Sequence, residues 1–198
     1  VLHEVVAVAE EGMRLARREL AALPEEMLVL GGGPIGAMQA LIARESGVKP
    51  VVIEKREHRV QAVRALGIEC VSLAQALVDS RFAGRFDLLA DATNDGHGDS
   101  GAFRHLPLFA NKGFVALIIG KYLRPQEIPL VFNRLGGRLV WMRGMPNSTL
   151  RESVAKWNDR IESLARGYLC EVFPSGNANQ AFEFAAARKS VLKTVIAL

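Results

Sequence analysis

The sequence predicts an α/β fold, a doubly wound parallel sheet of about six strands followed by a C-terminal extension of helices and strands. Three observations lead there. Short, near-continuous apolar runs recur through residues 25–144, and strands of that kind are covered on both faces, as in a parallel sheet. Helical stretches separate them, so that strand and helix alternate, and right-handed crossovers then build an open sheet with helices on both sides. The first of these runs ends in "GGGPIG", residues 31–36, a turn with almost no side chains.

The elements follow in order. Leu2, Val5, Val6, Ala9, Met13, Ala16 and Leu20 recur at spacings of three and four, which makes one helical stripe, closed by Pro24. "MLVLG" (27–31) reads as a buried strand, 35–46 as a helix stopped by Gly47, and "PVVIE" (50–54) as the second strand. A helix over 57–66 ends at Gly67, the residue expected just past a helix C-terminus. "IECVS" (68–72), a helix over 73–80, "FDLLADAT" (86–93), a helix over 99–109 and "GFVALIIG" (113–120) continue the alternation. "EIPLVFNRL" (127–135) reads as helical with Pro129 near its first turn, and "GRLVWMRG" (137–144) as the sixth strand. Beyond it come a long amphipathic helix over 149–167, a short "CEVF", a helix near 178–189 and a strand-like "VLKTVIAL". The expected organisation is a leading helix and linker (1–24), an α/β domain (25–144) and an extension (145–198).

Composition narrows the function classes. The 198 residues are 49% apolar and 23% charged, ordinary for a globular protein with a sizeable core. The net charge of +4 is spread over Arg17, Arg18, Lys55, Arg56, Arg59, Arg188 and Lys189 rather than gathered into a block, so nucleic acid is not an expected partner. Cys70 and Cys170 stand apart among apolar neighbours and read as core residues of a reducing compartment, with no zinc-site spacing. No apolar run approaches the roughly 18 residues of a membrane span. The N-terminal stretch carries early acidic residues and no cleavage-like site, which excludes a signal peptide and leaves a cytoplasmic location as the expectation.

Gly31, Gly33 and Gly36 form G-x-G-x-x-G between a strand and a helix. Gly31 permits the tight turn, Gly33 lets a pyrophosphate approach the backbone, and Gly36 lets helix and strand pack closely. Pro34 suits the first helical position, where its missing N–H costs nothing, and Ile35 follows it into the helix. The free N–H groups and the positive dipole end there suit a diphosphate. Glu54 ends the second strand 23 residues after Gly31, placed for a carboxylate to accept ribose hydroxyls. It would repel a 2′-phosphate and so favours NAD over NADP, while Lys55 and Arg56 are cations beside it that could tolerate one. A methyltransferase would carry an acidic-x-G-x-G loop, which is absent.

With these residues in place the chain resembles the medium-chain dehydrogenase/reductase family, and within it the zinc-type alcohol and polyol dehydrogenases. "VLGGGPIGAMQALIARESGVKPVVIEKREHRVQAVRALG" is similar to that family's nucleotide-binding core, a Rossmann fold. The resemblance implies adenosine-ribose binding by Glu54, with Lys55 beside it and assistance from Arg59. It implies a cofactor contact at Ala92, Thr93 and Asn94 after the fourth strand, although Asn94 stands where the family usually has glycine. It puts the nicotinamide near Ile119 and Gly120 at the end of the fifth strand and near Met142 on the sixth, an edge strand (138–143) that often pairs across a homodimer. "LGGRLVWMRGMPNS", with Trp141 and Arg143, lies on the substrate side in this reading. "FPSGNANQAFEFAAARKSVLKTVI" is similar to the family's C-terminal ending.

In that family the zinc ligands and proton relay belong to a preceding domain. This chain has no Gly-His-Glu motif and no four-cysteine lobe, and His3, His58, His97 and His105 show no ligand spacing, so neither a catalytic residue nor a zinc site is expected here. Asp95, His97 and Asp99 in "DGHGDS" read as a polar loop. The start at Val1 rather than Met, and an apolar-rich segment 145–198 that in relatives packs on the preceding domain, raise the expectation of a part of a longer protein. The leading expectation is therefore the NAD-binding part of a dehydrogenase that moves a hydride between nicotinamide and a carbinol carbon. A stand-alone NAD-sensing or scaffold module, and a zinc-free quinone-reductase-like oxidoreductase, are the alternatives; the latter's usual preference for NADPH sits poorly with Glu54.

Overall fold

The computed structural model describes residues 2–94, 102–123, 134–142, 147–164, 168, 170–187 and 192–197. Six strands, β1 (Glu26–Leu30), β2 (Lys49–Glu54), β3 (Glu69–Ser72), β4 (Phe86–Asp91), β5 (Ala110–Ile118) and β6 (Arg138–Trp141), form one sheet in the order β3-β2-β1-β4-β5-β6. All five pairings are parallel. The chain steps outward from β1 to β3, returns to the other side of β1, and steps outward again. That reversal, between β1 and β4, opens a crevice at the carboxyl ends of the strands, where ligands of such sheets bind.

Around the sheet lie α1 (His3–Glu19), α2 (Pro34–Glu45), α3 (Glu57–Ala65), α4 (Leu73–Val78), α5 (Leu106–Phe109), α6 (Asn147–Trp157), α7 (Ile161–Leu164) and α8 (Ala178–Ala186). Alternate strand residues feed two cores. Met27, Val29, Val52, Ala90 and Leu117 pack with α1, α2, α3 and Trp157. Leu28, Leu30, Ile53, Leu89 and Ile118 pack with Phe82, Phe86, Phe103 and Phe109. This two-sided burial is why the strands read as apolar runs without alternation. Each buried phenylalanine contributes about 1.5–3 kcal/mol. β7 (Cys170–Pro174) and β8 (Lys193–Ala197) form a separate parallel pair with α8 between them in sequence. Among the described residues no helix is long and apolar enough to cross a membrane.

Several boundaries differ from the sequence expectation. The fourth strand stops at Asp91, because the Asp91 carboxylate accepts the Thr93 N–H at 2.9 Å and turns the chain. The fifth begins at Ala110 rather than 113, with its pairing to β4 shifted around Gly113, whose φ is +74°. The helix expected over 73–80 ends at Val78, and that over 99–109 is a 3-10 turn (Phe103–His105) followed by the short α5. The sixth strand ends at Trp141, leaving Met142 just beyond it. The long helix over 149–167 is divided into α6 and α7 by a turn at 158–160. Asp95, His97, Asp99 and Arg143, and most of the helix expected over 127–135, lie outside the described residues.

Candidate functional site

β1 delivers the glycine turn to the crevice. Gly31 adopts φ +95°, a conformation that side chains rarely take, and donates its N–H to Ile53 O at 2.8 Å. A Cβ at Gly36 would lie 1.8 Å from Gly31 O, so Gly36 is what allows α2 to start so close to β1. Gly33 differs from both. Its backbone is extended (φ −75°, ψ −173°), and a Cβ there would meet only the Arg59 guanidinium, at 3.4 Å. The fold itself demands glycine at 31 and 36 but not at 33. What the missing side chain preserves is open space before the N-terminus of α2. That helix opens at Pro34, with Gly33 as a cap that has no side-chain bond to offer and no acidic residue in the first turn. Its positive end therefore faces the crevice with no carboxylate from its own first turn.

Glu54, 5% exposed, sits beneath this turn. Its Oε2 accepts the Gly32 N–H at 2.9 Å, and its Oε1 accepts the N–H groups of Lys55 and Arg56 at 2.7 and 2.9 Å. Arg59 Nη1 stands 3.8 Å from Oε2. Glu54 thus pins the glycine turn to the end of β2. Lys55 is exposed and Arg56 and Arg59 are half-buried around it.

On the other side of the crevice, Thr93 touches both flanks. A Cβ at Gly31 would come within 2.9 Å of Thr93 Cγ2, and one at Gly120 within 1.7 Å of Thr93 O. Asp91 is completely buried. Its backbone carbonyl accepts the Ile119 and Gly120 N–H groups at 2.9 and 2.8 Å, and its carboxyl is bonded to the Thr93 N–H, the Thr93 hydroxyl (2.6 Å) and the Tyr122 hydroxyl. Burial pushes the Asp91 pKa up against these hydrogen bonds, and burial, with Asp91 beside it, pushes that of Tyr122 up. Ala92 and Ile119 are half-buried at the crevice, Asn94 is exposed, and Met142 donates its N–H to Ile118 O at 3.0 Å. Pro34 O accepts a 2.8 Å bond from the Tyr168 hydroxyl, which ties the C-terminal extension to the first turn of α2, while Ile35 packs on the core.

The crevice thus gathers Gly31–Gly36, Glu54 and Arg59 on one side and Thr93, Ile119 and Gly120 on the other. Sequence reasoning missed Asp91, Tyr122 and the Gly32 N–H. Asp91 had a signal, a carboxyl group inside the apolar run "DLLADAT". Tyr122 had none, since its partner lies 31 residues away. Cys70 is buried, and its thiol is pushed up to about 12 chiefly by that burial, so it is an inert core residue. Among the described residues no group of three His, Cys, Asp or Glu side chains is placed to hold a metal ion.

Comparison with known proteins adds the following. The family profile described as "FAD binding domain" matches residues 25–83, which span β1 to the turn after α4. An L-threonine 3-dehydrogenase of Rhizobium johnstonii is 29% identical over 150 residues, 72% of this chain and 41% of that one. A glucose 1-dehydrogenase of Thermoproteus tenax is 31% identical over 198 residues, 92% of this chain and 55% of that one. Among solved structures, S. aureus TarJ in complex with NADPH superposes with a TM-score of 0.81 at 15% identity, over 98% of this chain and 62% of that one. The E. coli alcohol dehydrogenase rspB, complexed with NADH, superposes with a TM-score of 0.78 at 17% identity, over 100% of this chain and 58% of that one. The chain spans about half the length of the curated relatives it matches.

Proposed function

We propose that this chain, a homologue of the nucleotide-binding part of the medium-chain, zinc-type dehydrogenases, holds NAD(H) across the β1–β4 crevice for hydride transfer. The observation that carries this reading is Gly33, the one glycine of the G-x-G-x-x-G pattern that the fold does not require. The diphosphate lies against the backbone of residues 31–36 and the N-terminus of α2, with Pro34 and Ile35 forming its first turn. The adenosine half lies toward Glu54, Lys55 and Arg59, and the Glu54 carboxylate favours a ribose hydroxyl over a 2′-phosphate. The nicotinamide half lies over Ala92, Thr93, Asn94, Ile119, Gly120 and Met142, on the β4–β5–β6 side of the strand reversal.

When bound, the nicotinamide supplies the hydride acceptor and donor for a carbinol or carbonyl substrate. The residues of this chain bind and orient it. Zinc ligands and proton transfer to the substrate are assigned to a part of the whole protein that this chain does not include. The extension from residue 145 onward, with Val172 and Phe182 exposed, is the surface that part would cover, and the edge strand β6 is the candidate homodimer seam.

The "FAD binding domain" match over 25–83 favours a second reading, a flavin dinucleotide on the same adenosine and diphosphate half. Calorimetric titration of the chain with NADH, NADPH and FAD in turn separates the two. Binding of NADH with weaker NADPH and no FAD is the expected result. FAD binding without NADH moves the flavin reading to the front, and binding of none overturns both.

A further inference from the structure

We propose that Asp91 is held as a neutral carboxylic acid that closes a ring of three protons with Thr93 and Tyr122, and that this ring positions Thr93 in the nicotinamide half of the crevice.

The first half of the proposal rests on counting protons. Three oxygen–oxygen approaches form a closed circuit: Thr93 Oγ1 to Asp91 Oδ1 at 2.6 Å, Thr93 Oγ1 to Tyr122 Oη at 2.8 Å, and Tyr122 Oη to Asp91 Oδ2 within hydrogen-bonding distance. The two hydroxyls carry one proton each, and an ionised carboxylate carries none. With Asp91 ionised, one of the three approaches sets lone pair against lone pair. The other donors nearby come from outside the circuit: the Thr93 N–H to Oδ1, the Ala102 N–H to Thr93 Oγ1, and a backbone bond from Phe103 to Tyr122. None of them puts a proton into the unfilled contact. A neutral acid does. Asp91 Oδ2–H then donates to Tyr122, Tyr122 O–H to Thr93, and Thr93 O–H back to Asp91 Oδ1.

The surroundings favour the neutral form. Asp91 is completely buried, and its partners on the flanking strands are Leu30 and Ile118. The Phe103 ring stands edge-on to Tyr122 at 5.9 Å. On the facing segments Arg104 and Lys121 are exposed, and Arg104 Nε donates to His105 Nε2 at 3.3 Å. Among the described residues the influences on Asp91 are its burial and the bonds from Thr93 and Tyr122, with no cation among them. Asp95, His97 and Asp99 of the loop after β4 lie outside the described residues.

The second half rests on the dinucleotide reading above. Thr93 is wedged between Gly31 and Gly120, and its side chain and N–H are both fixed by Asp91. The ring is therefore what sets the wall of the crevice opposite the glycine turn.

Two measurements on the full chain test this. The first is thermal unfolding of the wild type and Asp91→Asn across pH. Asparagine copies the neutral acid, with an N–H in place of the Oδ2–H, so the variant should fold. A carboxyl whose folded pKa is raised contributes fully below its unfolded value and loses that contribution as pH rises toward its folded value. The advantage of wild type over Asp91→Asn should then shrink as pH rises above the ordinary carboxyl value of about 4. An advantage that stays constant or grows with pH, or an Asp91→Asn chain that does not fold, overturns the neutral acid. The second is calorimetry with NADH and with ADP-ribose, which lacks the nicotinamide. Tyr122→Phe opens the ring and should cost NADH about tenfold in affinity with ADP-ribose changed less than about twofold, while Asp91→Asn, which keeps donor and acceptor, should retain NADH binding. Equal losses for both ligands, or none, overturn the positioning role. A wild type that binds neither ligand overturns the dinucleotide reading and the positioning role with it, and leaves the pH comparison to decide the ring.

Discussion

On the proposed dinucleotide reading, Glu54 carries two tasks on one carboxyl group. It accepts three backbone N–H groups that fix the glycine turn, and it presents negative charge where the adenosine ribose would lie. Glu54→Gln keeps the size but turns one acceptor into a donor facing donors. Hydrogen bonds to a charged group are worth about 1.5–3 kcal/mol each. The variant should therefore lose about 2 kcal/mol of stability in urea unfolding, and its affinity ratio should move from NADH toward NADPH in paired titrations. An unchanged ratio would remove the specificity role and leave the structural one. Much of this was legible in the sequence, since G-x-G-x-x-G and the carboxylate ending the second strand are local patterns. The bond from Gly32 to Glu54 was not, because it depends on how two loops meet in space. Asp91 was visible as an anomaly, a carboxyl group in an apolar run, but its partner Tyr122 arrives from the loop after β5.

At the scale of elements, the strands announced themselves because both faces are buried. Their ends did not. β4 ends where the Asp91 side chain captures the Thr93 N–H, and β5 starts early because the sheet tolerates an irregularity around Gly113, a residue that reads as a strand boundary. The break between α6 and α7 falls at Asn158 and Asp159, residue types that disfavour a helix interior. Just before the break, Trp157 is almost fully buried, donates its Nε1–H to Glu10 at 2.8 Å, and lies under the Lys156 and Arg160 cations at 4.9 and 5.0 Å. It ties α6 to α1. Trp157→Ala should cost about 3–5 kcal/mol, as large aromatic truncations in cores do, read as a lower urea midpoint. A loss within about 0.5 kcal/mol, the range of surface substitutions, would show that α6 does not depend on this anchor.

Over the whole molecule, the two edges of the sheet do different work. The carboxyl edge holds the crevice, while at the amino edge Arg85 and Lys49 converge on Glu26 at 2.5 and 3.1 Å and link β1 to its neighbours. The hydrogen bond from Arg85 holds the Glu26 carboxyl below its usual range. A depressed carboxyl contributes stability above its unfolded pKa, and that contribution is lost as pH falls through the folded value. The difference in melting temperature between wild type and Arg85→Gln should therefore be full above the ordinary glutamate value of about 4.3 and shrink as pH falls below it. A difference that grows on acidification would contradict this assignment. The alternation of strands and helices made the six-stranded sheet legible from residue patterns alone. The separate β7–β8 pair was not, because five-residue strands at that distance reveal no partner.

The measurement that bears most directly on the crevice compares Gly33→Val with Gly36→Ala, each by melting temperature and by NADH calorimetry. Gly33 has extended backbone and open space, so valine there should leave the melting temperature unchanged and weaken NADH at least about a hundredfold, equivalent to about 2.7 kcal/mol. Alanine at 36 meets Gly31 O and should destabilise the fold itself by about 1–3 kcal/mol. A Gly33→Val chain that folds normally and binds NADH as the wild type does would mean that the open space before α2 is not where the dinucleotide lies.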